Sequence, residues 1–127
     1  MLPKLNKLID TIEQVIIKCG LKDGMTISFH HHFRSGDRIV NMVMDVIAAM
    51  GIKDLTLAAS SLTDVHSPLV RHIKNGVVKR IITSGLRGEL AEAVSSGLME
   101  TPVLIHSHGG RARAIETGQI TIDVAFL

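Results

Sequence analysis

The sequence predicts an α/β fold, a mostly parallel sheet with flanking helices, and three observations carry that prediction. Short apolar runs with strand character alternate with stretches in which apolar residues recur every three or four positions. Glycine, proline or a Ser/Asp cluster marks each transition. The helical stretches are about ten residues long, the length a crossover between parallel strands requires.

The elements follow in order. From Leu5 through Leu8, Ile9, Ile12, Val15 and Ile16 to Cys19 the spacing predicts an amphipathic helix stopped by Gly20, so residues 1–20 read as a lead-in helix and Cys19 as a small buried hydrophobe at its end. Asp23-Gly24 predicts a turn, and the alternation of Met25, Ile27 and Phe29 a strand. Ile39, Val40, Val43, Met44, Ile47 and Met50 share one helical face, with Asp37 as the expected N-cap and Gly51 as the stop. LTLAA (55–59) reads as a strand, SPLVRHIKNG (67–76) as a helix with Pro68 in its first turn, and VVKRIITS (77–84) as a strand. GELAEAVSSG (88–97) is a further helix, and PVLIHSH (102–108) and ITIDVAFL (120–127) are two more strands, so residues 21–127 form one α/β unit. The apolar run Asp123-Val-Ala-Phe-Leu127 carries no cap or polar tail, which leads us to expect the N-terminal part of a longer protein.

Composition narrows the function classes. With three Phe, no Trp and no Tyr there is no aromatic platform on which bases would stack, and a net charge of +2 spread along the chain sets up no strong field for a polyanion. Nucleic acid is therefore not an expected partner. Lys4, Lys7, Asp10 and Glu13 interrupt the N-terminal apolar residues, which excludes a signal peptide or a membrane span there. Cys19 is the single cysteine, so no intrachain disulfide can form and a reducing cytoplasm is the expected location.

In an open α/β sheet, ligands bind beyond the carboxyl ends of the strands. The loops expected there are HHHFRSGD, SSLTDVHS, TSGLRGE and HSHGGRAR, all rich in Gly, Ser, His and Arg. Arg34, Arg87 and Arg111 each lie beside glycine or serine, a pairing of guanidinium and backbone N–H groups suited to carboxylate or phosphate. The histidines raise a metal alternative: His30 and His32 would share one side of an extended chain, and His106 and His108 one side of the next strand if it persists that far. Against a zinc or iron site, the chain has no HExxH, no CxxC and no carboxylate at a recognisable ligand spacing, and Asp37 and Asp64 read as caps or turn residues. His108-Gly109-Gly110 has the look of an esterase oxyanion loop, yet no GxSxG elbow accompanies it.

The runs DGMTISFHHHFRSGD, NMVMDVIAAMGIKDLTLAASSL, VVKRIITSGLRGELAEAVSSGL and PVLIHSHGGRARAIETGQITIDVAFL resemble the N-terminal region of the citrate lyase α subunit family, the citrate:acyl-carrier-protein transferases. The resemblance covers residues 21–127 and implies a CoA-transferase-like domain that exchanges an acetyl thioester for a citryl thioester and releases acetate. It implies no tightly bound cofactor; the thioester would sit on the dephospho-CoA-derived arm of the acyl carrier protein. The implied partners are the β subunit, the γ subunit (the acyl carrier protein), citrate and acetate, with the chain as a homo-oligomer inside the complex. His30 to Gly36 stand where CoA-transferases carry a Gly-Gly-Phe-Gly loop, with Phe33 and Gly36 as the nearest echoes.

On that basis His31, His32 and Arg34 are the expected catalytic residues, supporting a thioester oxyanion. The expected substrate-binding set is His30, Phe33, Ser35, Gly36, Ser60, Ser61, Ser84, Gly85, Arg87, Gly88, His108, Gly109, Gly110 and Arg111, with no metal ligand. The glutamate that carries the acyl group in ketoacid CoA-transferases has no match here, and Glu89 and Glu92 read as a solvated helix face. A metal-dependent hydrolase and a non-catalytic assembly module are the alternatives.

Overall fold

A computed structural model describes residues 6–30 and 36–127. Its elements are α1 (Ile12–Cys19), β1 (Thr26–Phe29), α2 (Ile39–Ala49), β2 (Leu55–Ala59), a 3-10 turn (Asp64–His66), α3 (Leu69–Lys74), β3 (Val78–Thr83), α4 (Gly88–Ser95), β4 (Leu104–Ile105), α5 (His108–Glu116) and β5 (Val124–Phe126). Among the described residues the strands form one sheet in the order β4-β3-β2-β1-β5, every neighbouring pair parallel. This is the α/β, mostly parallel sheet with flanking helices that the alternating pattern predicts.

Side chains on successive strand residues point to opposite faces, and here the two faces differ in kind. Ile27 and Phe29 of β1, Leu55, Leu57 and Ala59 of β2, and Ile81 of β3 join the core with Val40, Val43, Met44 and Ile47 of α2, Leu69 of α3 and Leu90 of α4. Helices α1 to α4 pack in sequence against one another, α1 on α2, α2 on α3 and α3 on α4, and cover this face. Fully burying one such aliphatic or aromatic side chain contributes about 1.5–3 kcal/mol. The other face carries Ser28, Thr56, Ala58 and Ser60, and α5 lies over it, since the Arg111 guanidinium of α5 donates to Ser28 Oγ at 2.7 Å.

β5 lies beside β1, although the chain reaches it from β4 at the far edge. The Phe29 and Phe126 rings stack there with centroids 5.2 Å apart. Asp123 ties the amino end of the pair, its Oδ2 accepting the Thr26 N–H at 2.8 Å. At the carboxyl end the His30 N–H donates to Phe126 O at 3.2 Å. The connections out of β1 and into β5 thus run to opposite sides of β1, which makes this pair the switch point of the sheet.

Three expectations need correction. Within the expected lead-in helix, residues 6–11 are not helical, Leu8 and Ile9 are exposed, and α1 starts at Ile12, while residues 1–5 lie outside the described residues. Thr11 is the reason, because its Oγ1 accepts the Gln14 N–H at 3.1 Å, and Thr-x-x-Gln is itself a helix-start signal. Cys19 is exposed at the end of α1, where the core-facing residue is Ile16. The strand expected over 102–108 shrinks to Leu104–Ile105, and HSHGGRAR is not a loop but the start of α5. Ser107 Oγ accepts the Gly110 N–H at 2.9 Å and its carbonyl accepts the Arg111 N–H at 2.8 Å, so the cap turns the chain before His108. His106 and His108 therefore do not share a strand face.

Candidate functional site

At the carboxyl end of the β1–β5 switch point lies a groove of about 390 Å³. Its polar lining comes from five residues on or beside three elements: Ser28 within β1, His30 just beyond it, Ser60 just beyond β2, and His108 and Arg111 in the first turn of α5. Ile115 and Ile122 supply apolar wall. The volume lies within the ~300–1,000 Å³ typical of small-molecule sites. A larger cleft of about 480 Å³ lies at the opposite, amino end of the sheet, beside Asp54, Gly76 and Val78. It gathers none of the Ser, His and Arg side chains that converge on the smaller groove, and that chemistry, rather than size, makes the smaller groove the candidate site.

Arg111 is the centre of the groove's electrostatics. Burial pushes its guanidinium below the ordinary arginine value, yet a guanidinium stays charged throughout the physiological range. Nη2 is held by Ser28, while Nη1 is buried and, among the described residues, has no hydrogen-bond partner. A partly buried cation with an unused, directed donor is suited to a carboxylate, which a guanidinium fork binds at two oxygens. The amino end of α5 adds backbone N–H groups of the same polarity, with Gly109 leaving open space around its backbone.

Of the sequence-predicted binding residues, His30, Ser60, His108 and Arg111 meet in this groove. Gly109 and Gly110 lie in the same turn of α5, although Gly110 N–H is taken by Ser107. Ser61, Ser84, Gly85 and Arg87 lie in the loops after β2 and β3 and Gly88 opens α4; the loops are laced together: Ser84 N–H donates to Ser60 O, Leu62 N–H to Gly85 O and Arg87 N–H to Leu62 O. None of these five lines the groove. Arg87 is exposed at the start of α4, and Gly88 has a structural task. Its φ is +68°, and a Cβ there would run into the Asp64 carboxylate. Gly36 is exposed ahead of α2 and Asp37 is buried, with Oδ1 accepting the Ile39 N–H at 3.0 Å, so Asp37 does cap the helix start, one residue further back than a standard N-cap. His31, His32, Phe33, Arg34 and Ser35 lie outside the described residues. Among the described residues no three His, Cys, Asp or Glu side chains converge as a metal site would require.

Ser28 is the groove residue that sequence reasoning missed. The signal was present: in Thr-Ile-Ser-Phe, strand alternation places the serine on the face opposite Ile27 and Phe29.

Comparison with known proteins decides the family. The sequence profile described as "Citrate lyase, alpha subunit" matches residues 5–127. The chain belongs to the citrate lyase alpha subunit family. It is 61% identical over 121 residues to the citrate lyase alpha chain of Klebsiella pneumoniae, covering 95% of this chain and 24% of that one. Against the citrate lyase alpha chain of Escherichia coli K12 the figures are 64% over 121 residues, 95% and 24%. A crystal structure described as the alpha subunit of citrate lyase in complex with citrate, from Streptococcus mutans, superposes with a TM-score of 0.96 at 61% identity, covering 100% of this chain and 25% of that chain. The chain thus spans about a quarter of the length of the relatives it matches. Among the described residues no helix is long and apolar enough to cross a membrane.

Proposed function

We propose that this chain supplies the citrate-recognising half of a transferase site. In the reaction, acetyl thioester on an acyl carrier protein plus citrate yields citryl thioester plus acetate. The observation that carries the reading is the buried Nη1 of Arg111, which among the described residues has no hydrogen-bond partner, on a side chain that lines the groove with Ser28, His30, Ser60 and His108. Citrate offers three carboxylates and a hydroxyl to such a set, and the citrate complex of the 61%-identical Streptococcus mutans structure supports that choice of ligand.

Arg111 holds one carboxylate as a two-point pair, the α5 amino end and His108 face a second, and Ser28 or Ser60 hydrogen-bonds what remains. The reacting carboxylate then needs donors where the thioester oxygen becomes negative, a contribution of a few kcal/mol when such donors are fixed in advance. His31, His32 and Arg34, next in sequence to His30, are proposed for that role. The acyl group arrives on the dephospho-CoA-derived arm of the γ subunit, and a β subunit cleaves the citryl thioester in a cytoplasmic complex that holds more than one copy of the α chain.

The deciding experiment is acetate release from acetyl-carrier protein, measured with and without citrate, using the chain at its full natural length. Citrate-dependent release, with the citrate KM raised in Arg111→Met, is the expected result. Folded protein that releases no acetate on citrate addition would overturn the proposal.

A further inference from the structure

Away from the groove lies a carboxylate–imidazole pair that the acyl exchange does not touch. Asp37 Oδ2 and His66 Nε2 are 2.7 Å apart, with neither side chain exposed to solvent. Their neighbours set the direction of the hydrogen bond between them. Thr63 N–H donates to His66 Nδ1 at 2.8 Å, so Nδ1 is the acceptor and the ring proton sits on Nε2, from which it is donated to Asp37. The other carboxylate oxygen accepts Ile39 N–H at 3.0 Å. Asp37 thus accepts at both oxygens, a part an amide cannot play, because asparagine offers one acceptor to two donors.

The pair's place in the chain gives it a second task. Asp37 stands just ahead of α2, the helix that follows β1, and His66 closes the turn that leaves β2 at Ser60. His30 and Ser60 both line the groove. A second tie, Asn41 Nδ2 to Val65 O at 2.7 Å, joins α2 to the same turn. Resting on the reading of the groove as a citrate site, we propose that Asp37 and His66 are positioning residues for citrate: their buried hydrogen bond ties the start of α2 to the turn that leaves β2 at Ser60, and so sets the fit of the substrate.

The test is steady-state kinetics of the full-length chain with acetyl-carrier protein and citrate. Asp37→Asn and His66→Leu are expected to raise the citrate KM about tenfold with the thioester KM unchanged, the scale of a lost hydrogen bond to a charged group. His66→Gln is expected to keep the citrate KM near that of the parent, because a glutamine carbonyl takes the Thr63 N–H while its amide N–H reaches Asp37. A purely structural role predicts otherwise: less folded enzyme, hence lower apparent kcat at unchanged KM. Folded Asp37→Asn with the parent's citrate KM, or with a loss confined to kcat, would overturn the inference. Should His66→Leu fail to fold, Asp37→Asn against His66→Gln carries the same comparison. A parent chain without citrate-dependent acetate release would overturn the reading of the groove and this inference together.

Discussion

The two faces of the sheet bury comparable stretches of the same strands to different ends. On the helix-covered face, Ile27, Phe29, Leu55 and Leu57 meet the aliphatic stripes of α2, α3 and α4. On the α5 face the same strands present Ser28, Thr56, Ala58 and Ser60, all of them buried as well. Burial on the first face removes apolar surface from water and stabilises the fold. On the second it surrounds groups that retain hydrogen-bonding capacity, above all Arg111, whose charged form is disfavoured by its setting. The lesson is that one alternating strand pattern can divide its work, with stability stored on one face and unspent binding capacity on the other.

The sharpest way to break this division is to cut into each face and ask which property moves. Leu57 is fully buried in the core, and Leu57→Ala is expected to destabilise the protein by about 2–5 kcal/mol through lost transfer energy and the cavity left behind. Denaturant unfolding measures that loss, while the citrate affinity of the molecules that stay folded should not change. Arg111→Met is expected to do the reverse. Citrate affinity should fall tenfold or more, roughly 1.5–3 kcal/mol for a charge-assisted hydrogen bond, with unfolding stability unchanged or slightly higher. The sign follows from the lowered arginine value. The cost of holding the cation is fully present while both folded and unfolded forms are protonated, and it is relieved only as pH rises through the folded value. No step in stability from Arg111 is therefore expected between about pH 5 and 9. Calorimetric citrate titration of both variants would refute the comparison if Leu57→Ala weakened binding as much as Arg111→Met.

How far the sequence revealed each face also differs. The core face is written in periodicity: β2 is found at the predicted 55–59, and the apolar stripe of α2 needs only its spacing to be seen. The α5 face is written in single residues. Ser28 is one polar position inside an apolar strand, and α5 has no strong apolar stripe, so a helix opening with His-Gly-Gly reads as a loop unless Ser107 is recognised as its cap. Position in the loops singled out His30, Ser60, His108 and Arg111, which line the groove because every parallel strand delivers its following residues to one edge. It did not separate them from Ser84 and Arg87, since the sheet order, with β5 beside β1, decides which loops meet at the groove. Parallel neighbours distant in sequence leave no local trace of that order.

Glycines on the carboxyl edge sharpen the comparison at the smallest scale. Gly88 and Gly109 each lie in the first turn of a helix near this edge, yet they should respond oppositely to alanine. At Gly88 the φ of +68° and the nearby Asp64 carboxylate oppose any side chain, so Gly88→Ala is expected to cost about 1–2 kcal/mol. Gly109 has no positive φ and nothing within 4 Å of an added Cβ. Alanine there removes backbone freedom from the unfolded chain and suits the helix, so Gly109→Ala is expected to stabilise by about 0.5 kcal/mol. Its citrate affinity is the finer test. The space that makes the substitution harmless to the fold lies at the amino end of α5, beside His108 and Arg111. If citrate approaches that backbone, the added methyl should weaken binding several-fold while raising the unfolding midpoint. A variant that is more stable and binds citrate as tightly as the parent would show that the ligand is held by side chains alone, and that the helix terminus contributes through its charge rather than through contact.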